Sequence, residues 1–334
     1  YVPTFQDVEL EVDYVQNAVA VGDQVYLFGS KWNQETGEGK DIMYCYQPIT
    51  GELKEFPIEM KSEAGINVSI QKMAVNSAGN IIMMVNKYQM PEMTNTEDVL
   101  SGPQEYKEWV ELWEVSATDA AVLNVVDLQK ALEIEGGFWT QYMALDAQDN
   151  VYFCDGNSMI YVLDAKGNKL FSKQIDTWIN GMFAGNDGKV YIKADGEGGM
   201  TVRPVDLQAK NIGEPVSSEG FGDSYNQRYY VANDGTMLVN DESKVFSYDF
   251  TTGVKTDLFA WLDADVNSEF VQEMGQLSDG RYWAFLREYG EKEEHSFVVL
   301  KKTPAAEVVV KEELVFATMW LDQRVRKNII DFNV

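Results

Sequence analysis

The chain has 334 residues, 45% hydrophobic and 12% aromatic, which is ample material for a core and excludes global disorder. Lys and Arg number 27 against 54 Asp and Glu. The net charge of −27 repels phosphate backbones and anionic lipid, so nucleic acid is not an expected partner. One histidine, His295, and two cysteines, Cys45 and Cys154, give neither a histidine-based metal site nor a zinc knuckle.

The first strand signal is Phe5–Val12. After it, a pattern repeats six times: an apolar strand, a polar turn, then a second apolar strand. The copies begin at Ala18, Met73, Met143, Met182, Tyr229 and Met274. The first apolar residue after each turn is Val25, Ile81, Val151, Val190, Met237 and Tyr282, at intervals of 56, 70, 39, 47 and 45 residues. Roughly 40–50 residues per unit suits a four-stranded propeller blade. Third and fourth strands follow, separated by turns such as Ile49–Gly51, Ala165–Asn168 and Thr251–Gly253. The sixth unit lacks a fourth strand, and its third, from Ser296, runs into Thr303–Ala306. The predicted fold is therefore all-β, a six-bladed β-propeller. It is closed by the N-terminal strand lying beside blade six, which removes open sheet edges.

Beyond the propeller (1–302) come a linker (303–312) and a short strand-helix tail (313–334). Glu313–Met319 reads as a strand. From Trp320, Leu321, Val325, Ile329 and Phe332 recur at helical spacing, with Arg324, Arg326 and Lys327 between them. This tail, with the linker before it, resembles the opening strand and helix of an extracellular solute-binding protein, the substrate-capturing part of an ABC importer. It is most similar to lipoproteins of Gram-positive gut anaerobes in which a β-propeller precedes the solute-binding domain. The resemblance implies secretion, a lipid anchor upstream of Tyr1 on the plasma membrane, a solute-binding domain beginning in the tail, and a permease partner. Consistent with that, the chain starts at Tyr1 without Met and reads as a trimmed mature chain.

No nucleophile elbow, phosphate loop or His-Glu-x-x-His motif is present, and spacing singles out no acid pair among the many carboxylates. The expectation is that the chain is not an enzyme and holds no cofactor or metal. Asp263, Asp265 and Asn267 have the 1-3-5 spacing of a calcium loop. Ser268 replaces its glycine and Met274 its final glutamate, so a polar loop is expected. Cys45 and Cys154 sit in strand-like runs as buried thiols, and His295 is expected on the surface at a strand start.

Counting back from each register residue gives Gln16, Gln71, Gln141, Asn180, Gln227 and Gln272, one primary amide per innermost strand. These are expected to form a girdle around the channel, either structural or recognising a ligand or ion. Trp139 and Trp178 fall near the channel mouth, where they either stack on sugar rings or peptide side chains or pack between blades. Long links between second and third strands in blades six, one and two should raise an acidic wall carrying Trp32, Glu35, Glu38, Glu97, Asp98 and Glu105, a third aromatic among them.

The functional expectation is a binding or scaffold propeller of a cell-surface solute-binding lipoprotein serving an ABC importer. It would meet a glycan, a cell-wall polymer or a protein. The alternatives are a stand-alone carbohydrate-binding or sensing propeller, or a polysaccharide-cleaving enzyme.

Overall fold

The structure is a computed structural model. It describes all residues except 34–37, 58–65, 90–106, 197–198, 217–226, 233–234, 290–292, 308–322 and 334. Among the described residues, the strands form six four-stranded antiparallel sheets, each a propeller blade. After β1 (Val2–Asp7), blade one holds β2 (Tyr14–Val21), β3 (Gln24–Asn33), β4 (Glu38–Gln47) and β5 (Glu52–Pro57). Blade two holds β6 (Ile66–Val75), β7 (Ile81–Gln89), β8 (Lys107–Val115) and β9 (Val122–Asp127), followed by the short helix α1 (Leu128–Leu132). Blade three is β10 (Thr140–Leu145), β11 (Val151–Asp155), β12 (Met159–Leu163) and β13 (Lys169–Gln174). Blade four is β14 (Ile179–Ala184), β15 (Val190–Gly196), β16 (Gly199–Asp206) and β17 (Asn211–Ile212). Blade five is β18 (Arg228–Val231), β19 (Met237–Asn240), β20 (Lys244–Asp249) and β21 (Val254–Ala260). Blade six is β22 (Val271–Gln276), β23 (Tyr282–Tyr289) and β24 (Glu293–Lys301), and its outermost strand is β1.

The ring closes where the sequence places the closure. β1 pairs antiparallel with β24, from Val2 opposite Lys301 to Asp7 opposite Ser296. Each register residue begins or nearly begins the second strand of its blade, and all six are buried. Alternation along the strands sends successive side chains to opposite faces of a blade. Tyr26 and Phe28 pack towards blade two, while Val25 and Leu27 pack towards blade six. One apolar cluster thus fills each of the six blade junctions.

The hairpin turns that follow the innermost strands latch neighbouring blades. Ser77 donates from its amide and hydroxyl to the two carboxylate oxygens of Asp149, at 2.7 and 2.6 Å. Ser278 grips Asp23 in the same two-pronged way, from blade six to blade one. Asp149 has φ +60°, where the corresponding turns use Gly79, Gly188, Gly235 and Gly280. Its carboxylate engages Ser77 from a backbone position that otherwise favours glycine.

His295 corrects its expectation. It lies inside β24, buried, with Nε2 2.7 Å from Glu293 Oε1 and its ring stacked on Phe285. The alternation of β24 turns it inward beside Phe297, which adjacency to four charged residues in sequence did not reveal. Cys45 and Cys154 are buried free thiols, and burial pushes Cys154 up to about 12, leaving it in its unreactive form. Asn267 caps a one-turn helix, accepting from the Glu269 amide at 3.2 Å.

The predicted tail strand, 313–319, lies outside the described residues. The helix that follows, α2 (Gln323–Asn333), rests on blade six: Arg326 donates to Ser268 Oγ at 3.1 Å and Lys327 Nζ lies 3.4 Å from Glu288. Those partners stand at the face where the innermost strands begin. The helix therefore returns to the mouth side, although β24 itself runs away from it.

Candidate functional site: the channel and its mouth

Five of the six sequence-predicted amides share a backbone feature. The innermost strands pair with their neighbours through a one-residue irregularity between Val15 and Asn17, Ile70 and Lys72, Thr140 and Tyr142, Ile179 and Gly181, and Val271 and Glu273. Gln16, Gln71, Gln141, Asn180 and Gln272 are the extra residues of these β-bulges. Gln227 immediately precedes β18.

The residue before each bulge is buried, and a side chain from the preceding blade binds its main chain. Gln16 Oε1 accepts from the Ile70 amide at 3.2 Å, and Asn17 Nδ2 donates to the Ile70 carbonyl at 2.8 Å. Gln71 accepts from the Thr140 amide at 2.7 Å and donates to the Phe138 carbonyl at 3.2 Å. At the next junction Ser158 Oγ accepts from the Ile179 amide. Arg228 donates to the carbonyls of Val271 and Gln272 at 2.7 and 3.0 Å. Blade six holds Val15 at both ends, Glu293 accepting from its amide and Arg287 donating to its carbonyl. The girdle therefore consists of mixed side chains. Gln16 and Gln71 belong to it, while Asn180 and Gln272 bond locally, to Trp178 and Asp195 and to Phe270. The buried Gln141 Oε1 has no partner among the described residues. Gln227 accepts from the buried Lys193 of blade four at 2.7 Å. A bulged residue is freed from the ladder, so its side chain bonds whichever main chain its local twist presents.

Two residues before the bulge, Trp139 and Trp178 stand at equivalent positions of adjacent blades, with 62% and 50% of their surface exposed. Their main chains are held. Gln71 bonds the peptides on either side of Trp139, while the Trp178 carbonyl accepts from the Asp195 amide and Asn180. Tyr14, at the matching place in blade one, is also exposed. Trp283 instead packs in the core, its indole against Gly275, where a Cβ would fall 2.9 Å from the ring nitrogen. Trp32 is on β3 opposite Gly39, and its side chain lies outside the described residues, as do Glu35, Glu97, Asp98, Glu105 and the side chain of Glu38.

One residue after these six amides comes a belt that the sequence reading missed: Asn17, Lys72, Tyr142, Gly181, Arg228 and Glu273. Gly181 leaves space for the Tyr229 ring, which lies 3.1 Å from where its Cβ would stand. Glu273 borders two cavities, one of about 570 Å³ towards the hairpin turns and one of about 120 Å³ towards the mouth, shared with Asn17 and Arg287. Desolvation pushes its carboxyl up to about 8, opposed by the charge of Arg228. Desolvation lowers the Lys72 ammonium, and Arg228 lowers it further, against the opposing influence of Cys154. Burial raises the Tyr230 hydroxyl; Glu273 adds to this and Arg228 opposes it, although among the described residues the hydroxyl meets no partner at hydrogen-bond geometry. The belt residues follow the amides directly in sequence, but their chemical types differ in every blade, so repetition does not flag them.

No family model and no curated protein matches the sequence. Among solved structures the chain is similar to a luciferin-regenerating enzyme, at 10% identity over 90% of this chain and 95% of that one, with a TM-score of 0.48. It is similar to puromycin hydrolase, at 12% identity over 84% of this chain and 51% of that one, TM-score 0.44. It is also similar to a protein of unknown function from Bacteroides caccae, at 14% identity over 80% and 84% of the two chains, TM-score 0.41. These likenesses speak to fold. Two of these structures are named as enzymes, against the expectation that the chain is not one. That expectation rested on the absence of catalytic motifs and of any acid pair picked out by spacing.

Proposed function

We propose that the propeller is a glycan-binding module, taking its ligand at the channel mouth as part of a cell-surface solute-binding lipoprotein that serves an ABC importer. The observation that carries the binding reading is the pair Trp139 and Trp178, exposed at equivalent positions of adjacent blades on hydrogen-bonded main chain. An exposed indole on an immobilised backbone offers a flat apolar face at little ordering cost, which suits the apolar face of a sugar ring. The lipoprotein reading rests on the resemblance of the tail, within which α2 is a helix. A lipid anchor upstream, a solute-binding domain downstream and a permease partner belong to the same proposal.

A second reading, polysaccharide cleavage within the channel, is favoured by Glu273, whose carboxyl is pushed up to about 8 and could hold a proton near neutrality. A stand-alone glycan sensor would use the same mouth.

Titration with neutral oligosaccharides, followed by tryptophan fluorescence, tests the binding reading. Trp139→Ala and Trp178→Ala should each weaken binding roughly threefold to tenfold. Product release from the same oligosaccharides, lost in Glu273→Gln, would move the assignment to the second reading. Surface proteolysis of intact source cells tests the location: digestion is expected, and protection within the cell would contradict it.

A further inference from the structure

The end of the channel away from Trp139 and Trp178 holds the cavity of about 570 Å³, which opens at the hairpin turns. That volume lies within the roughly 300–1,000 Å³ of small-molecule sites. Its wall is a ring with one member per blade, each two residues after the amide: Ala18, Met73, Met143, Met182, Tyr229 and Met274. Four thioethers and one aromatic ring make a soft, polarisable surface that suits an aromatic body. The small Ala18 leaves space on the blade-one side. The Tyr229 ring is fixed in place, stacked on Phe183 with centroids 4.0 Å apart.

The charged groups lining this cavity are all of one sign. They are Asp146, Asp149 and Glu273, and among the described residues no Lys or Arg lines it. At the turns, Asp146 accepts from Asn150 and Tyr152, and Asp149 from Ser77. Glu273, at the inner end, makes no ion pair or hydrogen bond among the described residues. The Tyr230 hydroxyl, on the adjoining strand of blade five, is buried and equally without a partner there. Arg228 acts on Glu273 through space, but it does not line the cavity, and its hydrogen bonds go to the carbonyls of Val271 and Gln272. We propose that this end of the channel binds an organic cation, a primary amine carried on an aromatic body. The body lies among the methionines and against Tyr229. The ammonium donates to the Glu273 carboxylate and to the Tyr230 hydroxyl oxygen. An acidic ligand of the same shape would meet three carboxylates and no cation. A neutral alcohol would fill the space and leave the Glu273 charge uncompensated. The amine supplies the missing partner, and the Tyr229 ring adds its own attraction for a cation. The net charge of −27 draws cations towards the chain. This site lies at the opposite end from the exposed tryptophans and does not depend on glycan binding at the mouth.

Calorimetric titration of the full chain with 2-phenylethylamine, 2-phenylethanol and phenylacetate, three ligands of one shape and different charge, tests this. At about pH 8 Glu273 titrates and the amine is a cation, so an arriving ammonium favours the ionised carboxylate. The amine should bind at least roughly tenfold tighter than the alcohol, and phenylacetate should bind weakest. Glu273→Gln should cost the amine roughly tenfold and leave the alcohol unchanged, and Tyr230→Phe should cost the amine roughly threefold. Both substitutions keep the side chain's shape and remove a group without a partner among the described residues, so folding should not suffer. The Trp139→Ala, Trp178→Ala double variant should bind the amine as the native chain does. The proposal is overturned if the amine binds no tighter than the alcohol, if Glu273→Gln leaves it unchanged, if binding disappears with the two tryptophans, or if the amine does not saturate by about 10 mM.

Discussion

Gln71 of blade two bonds the main chain on both sides of Trp139 in blade three, accepting from Thr140 and donating to Phe138. One buried side chain thereby joins two blades and fixes the base of an exposed aromatic at the channel mouth. Replacing it with leucine strands a buried amide and a carbonyl, at a cost of about 1–3 kcal/mol. Gln71→Leu should lower the melting temperature and increase the fluorescence anisotropy decay of Trp139. Gln141→Leu removes an oxygen without a partner among the described residues, so it should cost less.

Asp149 combines a latch with a left-handed backbone. Asp149→Gly should relieve the backbone and lose the latch, leaving a small net change. Asp149→Ala should lose the latch and keep the strain, and so be less stable than the glycine variant by roughly 1 kcal/mol. Chemical denaturation of the two variants measures that difference directly.

Glu273 makes stability depend on pH. Its carboxyl lies near about 8 in the folded chain, above the 4.5 it has when unfolded. Between those values the folded state holds the proton that the unfolded state has released, so stability falls as pH rises and levels off above about 8. Access from the channel reduces the effect to on the order of 2 kcal/mol. Glu273→Gln should flatten this limb of the pH profile, as read from melting temperatures between acid and mildly alkaline pH.

The α2 helix touches blade six through the largely buried Arg326, held by Ser268 and Glu269, and through the exposed Lys327, whereas the six apolar clusters are built by the blades and the segments joining them. A chain ending before Val308 should therefore melt within a few degrees of the full one. Collapse on truncation would show that the tail belongs to the propeller's core.

The propeller was legible because its determinants are periodic. Val25, Ile81, Val151, Val190, Met237 and Tyr282 all follow turns and all face inward, and the missing fourth strand of blade six pointed to β1. The amides were legible for the same reason, as one per repeat. Their use was not, because a β-bulge is a backbone irregularity that leaves only a residue preference in the sequence. Thus Ser158 and Arg228 do at their junctions what Gln16 and Gln71 do at theirs. Lys72, Arg228 and Glu273 occupy one structural position with three different chemistries, which a search for repetition passes over. His295 shows the converse: four charged neighbours in sequence suggest surface, and strand alternation overrules them.

The most direct measurement is glycan-array binding of the intact chain beside a Trp139→Ala, Trp178→Ala double variant of equal melting temperature. If the mouth binds glycan, the native chain retains a defined set of glycans that the double variant loses. Equal retention by both, or retention of no glycan by the native chain, would contradict glycan binding at the mouth.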